Sequence, residues 1–303
     1  MRCESSAGGG GTPWPSGTTR LAGVMGADAS SSLSPAIHNA AYQSIDADWV
    51  YVAFPVPPGG AGAAIAGMRA LGIAGLSVTI PHKVEVIAHL DRLTETATVV
   101  GAVNTISWDS GELVGDNTDV AGLIEGLEAA AGIPIAGRKV LILGAGGAAR
   151  AAAWGAATSG ARSVEIVARR TEAAASIARD LTEAASERSI AIGEIAPVGA
   201  EDIRSAAGEA ELIISATPQL GPDDELVDCR WFGGQSFIYD LVYQPTETAL
   251  VKSARRAGIS AESGLGMLIA QAAIQVEIWT GHSPPRATME AAATAALAER
   301  RAE

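Results

Sequence analysis

The chain has 303 residues, of which 48% are hydrophobic and 18% charged, and its formal net charge is −13. This length predicts two domains, and the apolar content is enough for packed cores, so the composition argues against global disorder. The acidic balance argues against nucleic acid or an anionic membrane as a partner, because such surfaces select proteins with a basic face. Only three of the 21 basic residues are lysines, at Lys83, Lys139 and Lys252.

The first residues and the two cysteines predict a cytoplasmic protein. Residues 1–19 are rich in Gly, Ser, Thr and Pro and lack the apolar segment of a signal peptide, so we expect a flexible extension there. Cys3 and Cys229 cannot build a disulfide framework, and reduced cysteines are typical of the cytosol. Outside Ala/Gly-rich helical patterns, no uninterrupted apolar run is long enough for a membrane span.

The first half alternates short apolar runs, which predict strands, with helical patterns. In chain order, the predicted strands are 21–26, 49–55, 75–80 and a hairpin formed by 103–108 and 112–115. The predicted helices are 34–43, 58–71, one that begins at Pro81, and 119–131. We place a helix start at Pro81 because proline is favoured in the first helical turn.

The second half repeats this alternation more regularly. Its predicted strands are 139–143, 163–168, 212–215 and 237–241, with helices after the first two and at the C-terminal end. Strands that alternate with helices indicate βαβ units, and such units build a parallel sheet.

A glycine loop lies between the strand at 139–143 and the helix that follows it. Residues 144–149 fit the pattern G-x-G-x-x-A. Gly144 permits a tight turn, Gly146 lets a pyrophosphate approach the backbone, and Ala149 allows close packing of helix on strand. The helix N-terminus offers unpaired N–H groups to an anion. Strand and helix on either side favour a dinucleotide site over an ordinary glycine-rich turn.

The end of the next strand indicates which dinucleotide is bound. An NAD site carries an acidic residue there to hold the ribose 2′-hydroxyl, whereas this chain has Arg169, Arg170 and Thr171. Guanidinium groups bind phosphate well and a carboxylate would repel it, so the sequence predicts NADP. Arg150, in the helix after the glycine loop, is a further candidate phosphate ligand.

Eight short motifs occur in one order along about residues 20–282. They are SxSPxxHN from Ser32, VTxPxK from Val78, GAVNT from Gly101, NTDxxG from Asn117, GAGGAxRA from Gly144, RT at Arg170, DxxYxPxxT from Asp240 and GxxMLxxQ from Gly264. In these motifs and their order the chain resembles the shikimate dehydrogenase family. The resemblance implies an α/β enzyme without a metal that interconverts 3-dehydroshikimate and shikimate with NADP, as a monomer or homodimer.

The resemblance also implies a domain organisation. A mixed α/β substrate domain would comprise residues 20–119 and 265–303. A Rossmann-like NADP domain would comprise residues 120–264, and the cleft between the two domains would hold the reaction.

A role is implied for each residue that matches the family pattern. Ser32 and Ser34 would hydrogen-bond the substrate carboxylate, with Tyr243 close to it. The ring hydroxyls would be held by Thr79, Asn104, Asp119 and Gln271. Lys83 would be the catalytic acid/base, with Asp119 as its partner.

The cofactor would be bound by the second half of the chain. Met267 and Gly264 would lie beside the nicotinamide. The remaining cofactor-binding set comprises Gly144, Ala145, Gly146, Gly147, Ala148, Arg150, Arg169, Arg170, Thr171 and Thr217.

Elementary chemistry supports Lys83 as the acid/base. Ketone reduction needs a hydride on carbon and a proton on oxygen, and a bound nicotinamide supplies only the hydride. A lysine in the first turn of a helix would have its charged form disfavoured by the helix dipole, and Asp119 would act in the opposite direction. We interpret His38 as a structural residue beneath the serine pair and assign no role to His82.

The chain departs from the family pattern at several positions. Ser31 and Ser77 stand where the family often has His and Asn, so the shape of the carboxylate pocket is open. Arg169 stands where Asn is common, which favours a 2′-phosphate further. Residues 219–224 differ from the common continuation of the cofactor loop.

Two alternatives remain open at the sequence level. A quinate/shikimate or aminoshikimate dehydrogenase of the same fold would share most of these residues, although the serine pair slightly favours shikimate. A non-catalytic NADP-binding regulator would need neither Lys83 nor Asp119.

Overall fold

The computed structural model describes residues 15–217 and 227–302, which form two six-stranded sheets flanked by helices. Cys3, most of the predicted N-terminal extension and the loop residues 219–224 lie outside the described residues. At the end of that extension the hydroxyls of Thr18 and Thr19 donate to the Asp48 carboxylate at 3.1 and 2.6 Å, respectively. Within the described residues, no helix is both long and apolar enough to cross a membrane.

The first sheet is mixed. Its strands are β1 Arg20–Gly26, β2 Trp49–Pro55, β3 Gly75–Val78, β4 Arg92–Leu93, β5 Thr105–Asp109 and β6 Glu112–Asp116, in the order β2-β1-β3-β5-β6-β4. β1 is parallel to β2 and β3. The predicted hairpin is formed by the antiparallel strands β5 and β6, and β5 also pairs antiparallel with β3. The hairpin therefore interrupts the parallel arrangement that the alternation of strands and helices predicts.

The helices of this half are α1 Ser34–Ser44, α2 Ala61–Leu71, α3 Glu95–Val100 and α4 Asp119–Ala131. The helix predicted from Pro81 is wrong. Residues 81–84 form turns that lead into a short 3-10 helix at Glu85–His89, and the Ile80–Pro81 peptide is cis. The Lys83 carbonyl accepts a hydrogen bond from the Val103 N–H at 2.7 Å. Its partner is therefore a residue distant in sequence and not the next turn of a helix.

The second sheet is entirely parallel. Its strands are β7 Lys139–Leu143, β8 Ser163–Val167, β9 Glu194–Pro197, β10 Leu212–Ser215, β11 Phe237–Asp240 and β12 Ser260–Ser263, in the order β12-β11-β10-β7-β8-β9. This is the doubly wound arrangement, in which the strand order reverses between β7 and β10 and ligands bind at that edge. Its helices are α5 Gly147–Thr158, α6 Thr171–Glu187, α7 Ile203–Glu209 and α8 Ala249–Arg256.

Two helices join the halves. α4 leads from the first sheet to the second, and α9 (Leu265–Thr280) leads back to α10 (Arg286–Ala302). α4 and α9 pack closely because Gly122 and Gly126 face α9. A Cβ at Gly122 would lie 2.8 Å from the backbone nitrogen of Gln271, and a Cβ at Gly126 would lie 2.6 Å from the backbone nitrogen of Met267. The domain boundaries given by the resemblance stay a prediction.

The core of the first half contains a buried histidine. His38 on α1 stacks on Tyr51 with ring centroids 4.0 Å apart and lies close to Trp279. Its Nδ1 donates to the Ser34 carbonyl at 2.9 Å, since a carbonyl can only accept. Its Nε2 has no hydrogen-bond partner among the described residues. Burial lowers the pKa of His38 to about 4, so the ring is neutral near pH 7.

Replacing Gly126 by alanine tests the helix contact. We expect Gly126→Ala to lower the free energy of unfolding by about 1–3 kcal/mol, because the added methyl group meets backbone of α9. Gly67→Ala on α2 is the matched control, since open space surrounds that position and alanine should raise stability by about 0.5–1 kcal/mol there. Urea unfolding of both variants measures the difference, and a stabilised Gly126→Ala protein would contradict the packing argument.

His38 makes stability depend on pH in a defined window. The unfolded state binds a proton at His38 with the ordinary pKa of about 6.5, whereas the folded state does so only near pH 4. The contribution of His38 to the free energy of unfolding is therefore present at pH 7 and is lost as the pH drops below about 6.5. At pH 5 it is about 2 kcal/mol smaller than at pH 7. Urea unfolding at both pH values should show a smaller loss for His38→Gln than for wild type. The exposed His89→Gln control should retain the full loss.

Candidate active site

A cavity of about 200 Å³ lies where the two halves of the chain meet. Its lining includes all eight residues that the resemblance assigns to catalysis and substrate binding: Ser32, Ser34, Thr79, Lys83, Asn104, Asp119, Tyr243 and Gln271. Ala148, Gly264 and Met267 from the predicted cofactor set also line it. Residues that are up to 239 positions apart in sequence, from Ser32 to Gln271, therefore share one cavity.

Lys83 and Asp119 form an ion pair in this cavity. The Lys83 Nζ donates to Asp119 Oδ2 at 2.6 Å, with the lysine side chain 30% exposed and the aspartate 9% exposed. Asp119 is the first residue of α4, where the helix dipole stabilises a carboxylate. Lys83 lies in the turn after β3, so the expected contribution of a helix N-terminus to its chemistry is wrong.

The Asn104 side chain connects the residues around this pair. Its Nδ2 donates to Asp119 Oδ1 at 2.8 Å and to Gln271 Oε1 at 2.9 Å. Its Oδ1 accepts from the Thr118 backbone N–H at 2.7 Å and from the Thr105 hydroxyl at 2.8 Å. Because the Gln271 oxygen is engaged, Gln271 has its amide hydrogens to offer to a ligand in the cavity.

Hydroxyl groups converge at one end of the cavity. Ser32 directly follows the short 3-10 helix Ala29–Ser31, Ser34 begins α1, and the Ser32 Oγ lies 3.0 Å from the Ser34 Oγ. Tyr243 lines the same cavity from the segment that follows β11. Burial raises the pKa of the Tyr243 hydroxyl, which keeps it protonated and able to donate. Three neutral donors thus surround this end, an arrangement suited to a carboxylate.

Sequence reasoning missed Gln275 and gave Ser77 no role. Both residues line the cavity, and the Ser77 hydroxyl accepts from the Tyr51 hydroxyl at 2.6 Å and donates to Gln275 Oε1 at 2.8 Å. The Gln275 Nε2 in turn donates to the Thr105 hydroxyl at 2.9 Å. Helical spacing was the available signal, because a polar residue four positions after Gln271 in an apolar helix lies on the same face.

A second cavity, of about 260 Å³, lies at the edge of the parallel sheet between β7 and β10. It is lined by Gly144, Ala145, Gly146, Ala168, Arg169, Arg170, Ala173, Ala216 and Thr217. Gly144 has φ +114°, and a Cβ there would lie 3.0 Å from the Ala216 carbonyl oxygen, so this turn requires glycine. A Cβ on Gly146 would meet open space, which leaves its backbone accessible to a ligand.

The arginines near this second cavity differ in their partners. Within the described segments, neither Arg169 nor Arg170 forms an ion pair. Arg150 lies outside the lining of both cavities and donates to Asp180 Oδ2 at 3.0 Å and to the Val99 carbonyl at 3.3 Å. Gly147 and Thr171 begin α5 and α6 and are also outside both linings. Gly146 lines the second cavity, and Ala148, two residues later, lines the first.

Comparison with known proteins agrees with this arrangement. A family model for the shikimate dehydrogenase substrate-binding domain matches residues 24–106, and one for the shikimate 5′-dehydrogenase C-terminal domain matches residues 264–294. The chain is 42% identical to the shikimate dehydrogenase (NADP(+)) of Symbiobacterium thermophilum over 285 residues, which is 93% of this chain and 96% of that protein.

Solved structures share the fold. The shikimate 5-dehydrogenase of Thermus thermophilus, in complex with NADP(H) and shikimate, has a TM-score of 0.80 and 32% identity, covering 91% of this chain and 99% of that one. The quinate dehydrogenase of Corynebacterium glutamicum, in complex with NAD, also has a TM-score of 0.80, at 28% identity over 91% of this chain and 99% of that one. The matched sequence, which spans nearly the whole chain, shows that this protein belongs to the shikimate dehydrogenase family.

Proposed function

We propose that the chain is an NADP-dependent shikimate dehydrogenase that interconverts 3-dehydroshikimate and shikimate. The observation that carries this proposal is the Lys83–Asp119 pair, at 2.6 Å, in a cavity that Ser32, Ser34 and Tyr243 also line. A charged acid–base pair and a separate group of neutral donors in one cavity match a substrate that carries a reacting ketone or alcohol and a carboxylate.

The proposed chemistry divides between cofactor and protein. When bound, the nicotinamide supplies or takes up the hydride. Lys83 donates a proton to the carbonyl oxygen in reduction and takes it back in the reverse direction, and Asp119 orients the ammonium group through their hydrogen bond. Because the Lys83 side chain is 30% exposed, it can exchange that proton with solvent after each turnover.

The remaining residues bind and orient the substrate in this proposal. The hydroxyls of Ser32, Ser34 and Tyr243 donate to the carboxylate. Thr79, at the end of β3, and Gln271, with its free amide hydrogens, hold ring hydroxyls. Asn104 positions both Asp119 and Gln271 through its amide nitrogen. Such convergent contacts hold the reacting carbon in one orientation.

The second cavity fits the phosphates of NADP. The open backbone at Gly146 and the start of α5 suit the pyrophosphate. Arg169 and Arg170, which have no carboxylate partner in the described structure, suit the 2′-phosphate. Arg150 would need to leave Asp180 before it could contact a phosphate.

The alternative dehydrogenases differ in substrate, not in fold. The fold is shared with a quinate dehydrogenase, so it does not separate shikimate from quinate or aminoshikimate. A non-catalytic regulator is disfavoured by the Lys83–Asp119 pair, because binding alone needs neither charge. Turnover of shikimate and quinate with NADP and with NAD separates these functions. Cytoplasmic location and a monomeric or homodimeric state stay predictions.

Lys83 should be required for turnover. We expect Lys83→Ala to lower kcat roughly 10²–10⁴-fold, the range for loss of a general acid/base. Lys252→Ala, which removes an exposed lysine of α8, is the control and should keep kcat within about twofold. Steady-state kinetics with shikimate and NADP make the comparison. A Lys83→Ala enzyme that changes only in KM would mean that Lys83 binds substrate and is not the acid/base.

Arg169 and Arg170 should determine the preference for NADP. The double replacement by alanine is expected to lower kcat/KM for NADP by about 10–100-fold, because charge-assisted contacts to the 2′-phosphate are lost. The same variant should use NAD about as well as wild type does. Arg256→Ala, at an exposed position of α8, controls for a general loss of positive charge. Equal losses with both dinucleotides would contradict this role.

A further inference from the structure

Arg300 contacts the segment that carries Ser32 and Ser34. Arg300 lies near the end of α10, a helix that packs against α1. Its Nη1 donates to the Ser31 carbonyl at 2.5 Å and its Nη2 to the Ser32 carbonyl at 2.9 Å. Nη1 also lies 3.4 Å from the Gln244 side-chain oxygen. One planar guanidinium group thus spans two consecutive carbonyls and a third acceptor.

These contacts join the two segments that bring hydroxyl groups to one end of the cavity. Ser32 follows β1 of the first sheet, whereas Gln244 comes directly after Tyr243 and follows β11 of the second sheet. Arg300 therefore links the Ser32 backbone to the Gln244 side chain, next to Tyr243. A change in either contact would alter the spacing of the hydroxyl donors around the cavity.

Arg300 also lacks an acidic partner among the residues that the structure describes. In the part of the chain that the structure describes, no carboxylate lies within ion-pair distance of Arg300. Arg286, on the same helix, instead pairs with Glu125 at 2.9 Å. Although burial dominates and raises the pKa of the Tyr243 hydroxyl, the nearby Arg300 charge acts to lower it, so the field of Arg300 reaches this end of the cavity.

A positive charge near this end would stabilise an anion bound there. The Lys83 ammonium is already paired with Asp119, and the groups that face the proposed carboxylate are neutral hydroxyls. Neutral donors satisfy the hydrogen bonds of a carboxylate but do not balance its charge, and a desolvated unbalanced charge is costly. Arg300 lies behind the serine backbone, where it can supply this balance without contacting the ligand.

We propose that Arg300 is a positioning residue for the substrate carboxylate: it fixes the Ser32 backbone against the Tyr243 segment and supplies the positive charge for that end of the cavity. The inference rests on the proposed function, since it assigns the carboxylate of shikimate to this end. It extends that function because none of the family motifs in the sequence includes residue 300.

The test compares Arg300→Gln with Arg286→Gln. Glutamine keeps a polar side chain but loses the charge and the two-carbonyl contact, so we expect the KM for shikimate to rise about tenfold or more. KM for NADP and kcat should stay within about threefold of wild type, because the hydride and proton steps do not use Arg300. Arg286→Gln removes a similar set of contacts, to Glu125 and the Ala270 carbonyl, and should leave all three constants near wild type.

A conservative variant separates the charge from general loss of structure. Arg300→Lys keeps the positive charge but replaces the planar group of two donor nitrogens with a single ammonium, so its KM for shikimate should lie between those of wild type and Arg300→Gln. Thermal unfolding of all three variants checks that they are folded. If Arg300→Gln does not fold, Arg300→Lys alone must still raise KM for shikimate selectively.

Failure of the inference is distinguishable from failure of the proposed function. A wild-type enzyme that does not oxidise shikimate with NADP overturns the proposed function. Wild-type turnover with an unchanged KM for shikimate in Arg300→Gln overturns the role of Arg300 alone. If Arg300→Gln changes the KM values for shikimate and NADP equally, or if Arg286→Gln has the same effects as Arg300→Gln, then Arg300 has only a structural role. Either result would also overturn the inference.

Discussion

The buried amide of Asn104 is the constraint on which the candidate active site depends. Its oxygen is held by the Thr118 N–H and the Thr105 hydroxyl, so its nitrogen must face Asp119 and Gln271. Reversing the amide would leave several buried donors and acceptors without partners, at a cost of about 1–3 kcal/mol for each. The orientation of this amide therefore determines which Asp119 oxygen remains for Lys83 and which end of Gln271 faces the cavity.

The same constraint connects the two halves of the molecule. Asn104 directly precedes β5, Asp119 begins α4, and Gln271 lies on α9. One side chain therefore joins the first sheet to both connecting helices. The close contact of α4 and α9 at Gly122 makes this geometry possible, because a side chain there would displace the Gln271 backbone. The helix packing and the hydrogen bonds of the site thus depend on each other.

Local sequence patterns predicted many of the strands and helices. The features that they did not predict depend on contacts with residues distant in sequence. Apolar runs identified strands such as β2 and β7, whereas β12, with the sequence Ser-Ala-Glu-Ser, has no large apolar residue to mark it. The turn at Lys83 depends on a hydrogen bond from Val103, and the position of Arg150 depends on Asp180. The eight cavity residues could be named because each belongs to a motif, but Gln275 and Arg300 belong to none. Their contacts exist only after α9 and α10 have packed.

The acidic composition of the chain is compatible with anionic ligands because of how its arginines are paired. Arg138, Arg150 and Arg286 are neutralised by nearby carboxylates, so they contribute little to the field at either cavity. Arg169, Arg170 and Arg300 have no such partner in the described segments, and they lie at the proposed phosphate and carboxylate ends. Local charge acts at short range, whereas the excess negative charge spread over the surface is screened by salt within about 10 Å. In the proposed function, affinity for two anions would come from Arg169, Arg170 and Arg300, whereas net charge describes solubility.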